Sequence, residues 1–151
     1  MIQNLDLPHY KHLIKKKGEA LYIFDTIRRK YVLLTPEEWV RQQIIAWLHT
    51  EHRYPKSLMQ VEKGHYYKQN VAKRTDIVVF SKIGEPFMLV ECKASNIEIT
   101  EKTLWQALIY NQTLGAKFIL LTNGASFSLC SIESGKIQFY EQIPDVLLLE
   151  G

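Results

Sequence analysis

The chain has 151 residues, 46% of them hydrophobic and 23% charged, which suits one globular domain and excludes the disordered, fibrous and disulfide-scaffold classes. Nineteen Lys and Arg against sixteen Asp and Glu leave a net charge of +3, which permits a polyanionic partner without demanding one. The two cysteines, Cys92 and Cys130, form neither a C-x-x-C pair nor a secreted-type framework, the polar start from Met1 to Gly18 lacks a signal-peptide apolar segment, and no stretch has the length of a membrane span, so a reducing cytoplasm is the expected compartment.

Residues 1–18 read as an irregular arm. Ala20–Phe24 and Lys30–Leu34 predict a strand pair closed by Asp25-Thr26-Ile27-Arg28-Arg29. Thr35-Pro36-Glu37-Glu38 is a helix start, with Thr as N-cap, Pro at the first helical position and acids in the first turn. Val40, Ile44, Trp47 and Leu48 then recur at helical spacing to about Thr50. Leu58–Glu62 predicts a strand, and His65–Asn70 reads as returning from it. Thr75–Phe80 and Phe87–Lys93 are the strongest strands, joined by the turn chemistry of Ser81-Lys82-Ile83-Gly84-Glu85-Pro86. Thr100–Leu114 predicts a second helix, ended by Gly115. Lys117–Leu121, Phe127–Ile132 and Lys136–Gln142 are further strands, separated by turns at Asn123-Gly124 and Ser134-Gly135. Helices and strands in this order predict an α/β (α+β) fold, with helices flanking a mixed central sheet.

The hairpin carries the chemistry. With its turn centred between Ile83 and Gly84, Phe80 faces Phe87, Val78 faces Leu89 and Asp76 faces Glu91. Alternation then puts Lys93 on the same face, and directly opposed residues have Cβ atoms about 5 Å apart. Ile77–Phe80 and Met88–Val90 are apolar on both faces, as in a central strand covered on each side. Two like charges meeting beside a core are costly, and a divalent cation compensates them. Mg²⁺ takes few protein carboxylates and keeps the rest of its octahedron for water and phosphate; Lys93 would orient the attacking water or stabilise developing charge. The bland reading is a structural ion pair of Lys93 with Glu91 or Asp76. A glycosidase pair also suits this separation, but it needs one acid held protonated, and Lys93 on the same face favours the charged forms.

Other constellations carry less. His9-x-x-His12 and His49-x-x-His52 have one-turn spacing but no nearby cysteine, so they do not make a four-ligand zinc site. The basic runs Lys15–Lys17 and Arg28–Lys30 read as solvated surface, with no aromatic interleaving to suggest a stacking platform. Lys73 and Arg74 directly precede Asp76 and are placed to reach a bound nucleic-acid backbone. Cys92 alternates away from the Glu91 face and reads as a small buried residue.

Thr75-Asp76-Ile77-Val78-Val79-Phe80 followed by Val90-Glu91-Cys92-Lys93 resembles the PD-(D/E)XK nuclease superfamily. Together with Thr35-Pro36-Glu37-Glu38-Trp39-Val40-Arg41-Gln42, Glu91-Cys92-Lys93-Ala94, Gln106–Tyr110 and Leu121-Thr122-Asn123-Gly124, it looks like the N-terminal nuclease domain of type I restriction enzyme R subunits, over about Thr35 to Ile132. The resemblance implies a restriction-endonuclease-like core in a single domain spanning 1–151, Mg²⁺- or Mn²⁺-dependent phosphodiester hydrolysis, and DNA as substrate. It makes Asp76 and Glu91 metal ligands, adds the backbone carbonyl of Cys92, and makes Lys93 the catalytic lysine. It also expects an acid on the first helix to point at the metal. Glu37 falls on the stripe of Val40, Ile44 and Leu48, whereas Glu38 lies about 100° away, so Glu37 is the choice. On the second helix, Leu104, Trp105, Leu108 and Ile109 read as the buried stripe, while Gln106 and Tyr110 share another face that the resemblance puts beside the active site. Thr75 stands where the superfamily often has proline. No G-x-x-x-x-G-K-[ST] phosphate loop is present, so this chain alone is not expected to translocate on DNA, and a separate motor or specificity subunit is a candidate partner. The reading from another class is a non-cleaving nucleic-acid-binding module, or a subunit of a multi-protein DNA defence or repair complex.

Overall fold

A computed structural model describes residues 1–61 and 77–151 in full, and between them only the backbone of 65–67 and 71–73. The elements are β1 (Gln3–Asn4), β2 (Ile14–Lys17), β3 (Ala20–Asp25), β4 (Lys30–Leu33), α1 (Pro36–Thr50), β5 (Met59–Val61), β6 (His65–Tyr67), β7 (Val71–Lys73), β8 (Ile77–Phe80), β9 (Pro86–Cys92), α2 (Glu101–Leu114), β10 (Phe118–Thr122), β11 (Ser126–Glu133) and β12 (Lys136–Tyr140). The main sheet runs β1-β11-β10-β9-β8-β5, with β12 also on β11. It is mixed: β9 and β10 are parallel and the other pairs are antiparallel. Parallel neighbours need a crossover, and α2 is that crossover. The α+β architecture with a restriction-endonuclease-like core is therefore present.

Strand alternation divides the core in two. Met88, Val90 and Cys92 of β9, with Ile77 and Val79 of β8, pack with Val40, Ile44 and Leu48 of α1. On the other side, Ile119 and Leu121 of β10 meet Leu104, Ala107 and Leu108 of α2, and Val78 and Leu89 meet Tyr110. The sheet thus lies between the two helices. Both helix starts are capped as their residue types dictate: the Thr35 hydroxyl accepts from Glu38 N, and Thr100 and Thr103 bond reciprocally. Gly115 ends α2 at φ +75°, a left-handed conformation suited to glycine.

Several expectations are corrected. The N-terminal arm is not irregular throughout: β1 pairs with β11, and β2 pairs with β3 in a separate β2-β3-β4 sheet. β6 does not return along β5; β5 pairs with β8, and β6 pairs with β7 as its own hairpin. Phe80 faces Pro86 rather than Phe87, because the ladder shifts by one residue beyond Val79. Pro86 has no N–H to donate, and the turn closes instead through Ser81 N to Glu85 O at 2.8 Å. The shift stays at the turn end, and Val79–Met88, Val78–Leu89 and Ile77–Val90 keep the expected register.

The buried stripe of α2 also differs. Trp105 and Ile109 are 53% and 57% exposed, whereas Leu104, Ala107, Leu108, Tyr110 and Asn111 are buried. The helix is rotated so that Tyr110 reaches Val78 and Leu89, and the small Ala107 faces the sheet. Shape at the contact outweighs the hydrophobicity of the largest side chains.

Candidate functional site

Glu91 lies between Val90 and Cys92, which both face the α1 core, so its own side chain is on the α2 face of the sheet. It is 3% exposed. Lys93 follows the end of β9, and its ammonium nitrogen stands 3.7 Å from Glu91 Oε1. The Lys93 side chain is about one quarter exposed, so a buried carboxylate and a solvent-reaching cation meet at the strand end. The neighbouring β10–β11 turn holds the segment in place. Lys93 N donates to Thr122 O at 2.8 Å. Asn123 accepts from Ala125 N and Ser126 N through Oδ1, and donates to Ile97 O at 2.9 Å. Gly124, at φ +87°, turns the chain beside Val40 of α1.

Asp76, Arg74 and Thr75 lie outside the described residues, as does the expected Asp76–Glu91 pairing; Lys73 ends β7, and its side chain is likewise not described. Among the described residues, no cluster of three His, Cys, Asp or Glu side chains could hold a metal. Glu91 supplies the hard oxygen donor that Mg²⁺ or Mn²⁺ prefers. The Cys92 side chain is committed to the α1 core, so only its carbonyl is a candidate ligand.

The first turn of α1 departs from the expected phase. Glu38 is buried, and both of its carboxylate oxygens are engaged: Oε1 accepts from Arg28 Nη2 at 2.9 Å and from Arg41 Nη1 at 2.8 Å, and Oε2 accepts from Gln42 Nε2 at 3.0 Å. The Glu37 side chain is 14% exposed and accepts from Arg41 Nη2 at 3.1 Å. Two cations and an amide draw Glu38 inward, a pull that a hydrophobic stripe does not register. Burial opposes the charge of Arg41, but Cys92, Glu38 and Glu37 more than offset it and raise its pKa.

This network was not foreseen from the sequence. The i, i+3 and i, i+4 spacings of Glu37, Glu38, Arg41 and Gln42 were a signal for its helical part; Arg28 enters through the β3–β4 turn. Asp25, fully buried, accepts from Ile27 N, Arg28 N and the Arg28 side chain there. On α2 the expected pair separates: Tyr110 is 7% exposed in the core, and Gln106 is exposed. His12, His49 and His52 are each taken up singly. His12 bonds Gln43, His49 bonds the Tyr54 carbonyl, and His52 stacks edge-on against Trp47.

A comparison with curated protein sequences finds no match. The family model described as type I restriction enzyme R protein N terminus matches residues 36–145, a span that includes α1, the β8–β9 hairpin, α2 and the β10–β11 turn. The chain therefore belongs to the family of type I restriction enzyme R protein N termini, a restriction-enzyme-like nuclease domain with the PD-(D/E)XK fold.

Proposed function

We propose that this chain is a Mg²⁺-dependent DNA endonuclease domain that hydrolyses phosphodiester bonds, with Mn²⁺ able to substitute, acting in the cytoplasm with a separate motor or specificity subunit. The observation that carries the reading is the Glu91–Lys93 pair, 3.7 Å apart at the end of β9 in a chain of this family. Glu91, Asp76 and the Cys92 carbonyl would hold the cation, with Glu37, the less buried of the two acids that start α1, as a supporting acid. When bound, the cation supplies a Lewis acid for the phosphate and a more acidic water. Lys93 donates towards that water or a non-bridging phosphate oxygen, orienting the attack and stabilising the added negative charge. Tyr110 packs against Leu89, two residues before Glu91 on the same strand and on the same α2 face of the sheet, and so supports the strand. Gln106, exposed on α2, and Lys73 and Arg74, before Asp76, are candidate contacts to the DNA backbone.

Among the described residues, no helix is long and apolar enough to cross a membrane. The test is nicking of supercoiled plasmid and cleavage of single-stranded DNA with Mg²⁺ or Mn²⁺. Lys93→Ala should lose at least about 10²-fold, the scale of one transition-state electrostatic contact. Equal activity in parent and variant would remove the enzyme reading. If neither cuts but both bind DNA, the non-cleaving nucleic-acid module replaces it.

A further inference from the structure

The β2-β3-β4 sheet lies before residue 36, outside the segment matched by the family, so family membership assigns it nothing. Its register sorts its side chains onto two faces. Ile23 and Asp25, both fully buried, mark the inner face. Lys15 pairs with Tyr22, Tyr22 with Leu33, Phe24 with Tyr31, and Lys17 with Ala20, so these residues share the outer face. Lys15, Lys17 and Leu33 are exposed; Tyr22, Phe24 and Tyr31 are half-buried. The Lys15 ammonium stands 4.1 Å from the Tyr31 ring centroid, and Phe24 meets Tyr31 edge-on at 5.2 Å. Basic and aromatic residues that are separate in sequence are therefore interleaved on one small surface.

We infer that this outer face binds a single strand of DNA, with Lys15 and Lys17 on phosphates, Tyr31 holding the Lys15 ammonium and Tyr22 against an unpaired base; the inference rests on the reading of DNA as the substrate. Charge favours this occupant over a protein. Lys15 and Lys17 stand on the outer face with no acid among its strand residues, exposed Lys16, Arg29 and Lys30 border it, and of the two acids in residues 14–33, Glu19 and Asp25, Asp25 is buried and paired with Arg28. A polyanion gains from such a field through release of its condensed counterions. Rings on a sheet face favour a single strand over a duplex, because unpaired bases offer their π-faces for stacking and paired bases do not. The cation–π contact holds the Lys15 ammonium over the same surface, where a phosphate beside a stacked base would meet it. The location is also suitable: Arg28, in the β3–β4 turn, bonds Glu38 at the start of α1, where the family segment begins.

Fluorescence anisotropy of the full chain tests this in EDTA, where cleavage plays no part, using a labelled oligothymidine of about 16 nucleotides, the upper end of one domain's site size, and a labelled duplex. The double variant Lys15→Glu/Lys17→Glu should bind the oligothymidine at least tenfold more weakly. Its plot of log affinity against log salt should be shallower by about 1.4, from two phosphate contacts at about 0.7 each. Lys117→Glu/Lys136→Glu, an equal charge change on exposed lysines elsewhere, should cost much less. Tyr22→Leu should weaken binding about fivefold or more without altering the melting temperature; if it does not fold, the lysine pair decides alone. Equal losses in the two double variants, unchanged binding in the first, or a parent that binds only duplex would overturn the inference. Lys93-dependent plasmid cleavage with no effect at Lys15 and Lys17 would overturn it while the nuclease reading stood. Face-dependent binding by a protein that cuts nothing would support it and sink the other.

Discussion

Arg28 Nη2 donates to Glu38 Oε1 at 2.9 Å, joining the β3–β4 turn to the first turn of α1. The same Arg28 side chain is held by fully buried Asp25, so one guanidinium bridges two carboxylates from different elements. Arg28→Ala would leave Asp25 with its two backbone donors, and Glu38 with Arg41 and Gln42. The expected cost is about 2–3 kcal/mol, below that of stripping a buried ion of every partner. Thermal melting should fall by roughly 5–10 °C. Arg28→Lys should recover only part of this, because an ammonium lacks the planar fork that reaches both acids. A melting temperature unchanged in Arg28→Ala would mean that the bridge contributes nothing.

The two acids of α1 should separate by readout. Glu38→Gln leaves Arg41, 3% exposed, and Arg28 without the charge they share. Asp25 still pairs with Arg28 and Glu37 with Arg41, so a cost of about 2–3 kcal/mol is expected, roughly 5–10 °C in melting temperature. Glu37→Gln should leave melting nearly unchanged while lowering metal-dependent nicking. The reverse ranking would show that Glu38 serves the metal and Glu37 the helix.

Metal binding can be tested without turnover. A ligand that binds only the native state stabilises it by about 1.4 kcal/mol at ten times its Kd, a shift of roughly 3–6 °C for a chain of this size. The parent should show that shift with Mg²⁺ or Mn²⁺, and Asp76→Asn should abolish most of it while melting no lower in EDTA. A full shift in Asp76→Asn, or none in the parent, would leave Lys93 as a structural counter-ion of Glu91.

Acid should destabilise the fold in part through His52. Burial lowers its pKa below the ordinary imidazole value, against the opposing pull of Glu51. The unfolded chain then binds the proton more readily, so this stabilisation is complete above about pH 6.5 and is lost as pH falls through the lowered native value. His52→Phe, which keeps an aromatic ring against Trp47, should melt with a shallower dependence between pH 7 and pH 5. Identical slopes would assign the acid loss to other groups.

Much of the frame was legible in the residues because its signals are local. Thr35 and Pro36 start a helix by their own bonding capacity and fixed φ, Gly115 stops one by adopting φ > 0, and the turn centred between Ile83 and Gly84, with strand alternation, gives the register of Ile77–Val79 on Met88–Val90. The same alternation was enough to put Glu91 on the face opposite Cys92, and the Glu91–Lys93 contact follows from it.

What required tertiary structure were relationships whose energy depends on neighbours distant in sequence. Trp105 and Ile109 are apolar, yet they point outward because α2 sits on the sheet through Ala107 and Tyr110. Glu38 points inward because Arg28, ten residues earlier, arrives from a turn whose position no helical period encodes. Lys15, Tyr22 and Tyr31 show no interleaving along the chain and form one face only after three strands pair. Periodicity reports how a segment is divided between core and solvent, whereas burial of a charge depends on which counter-charge the fold brings to it.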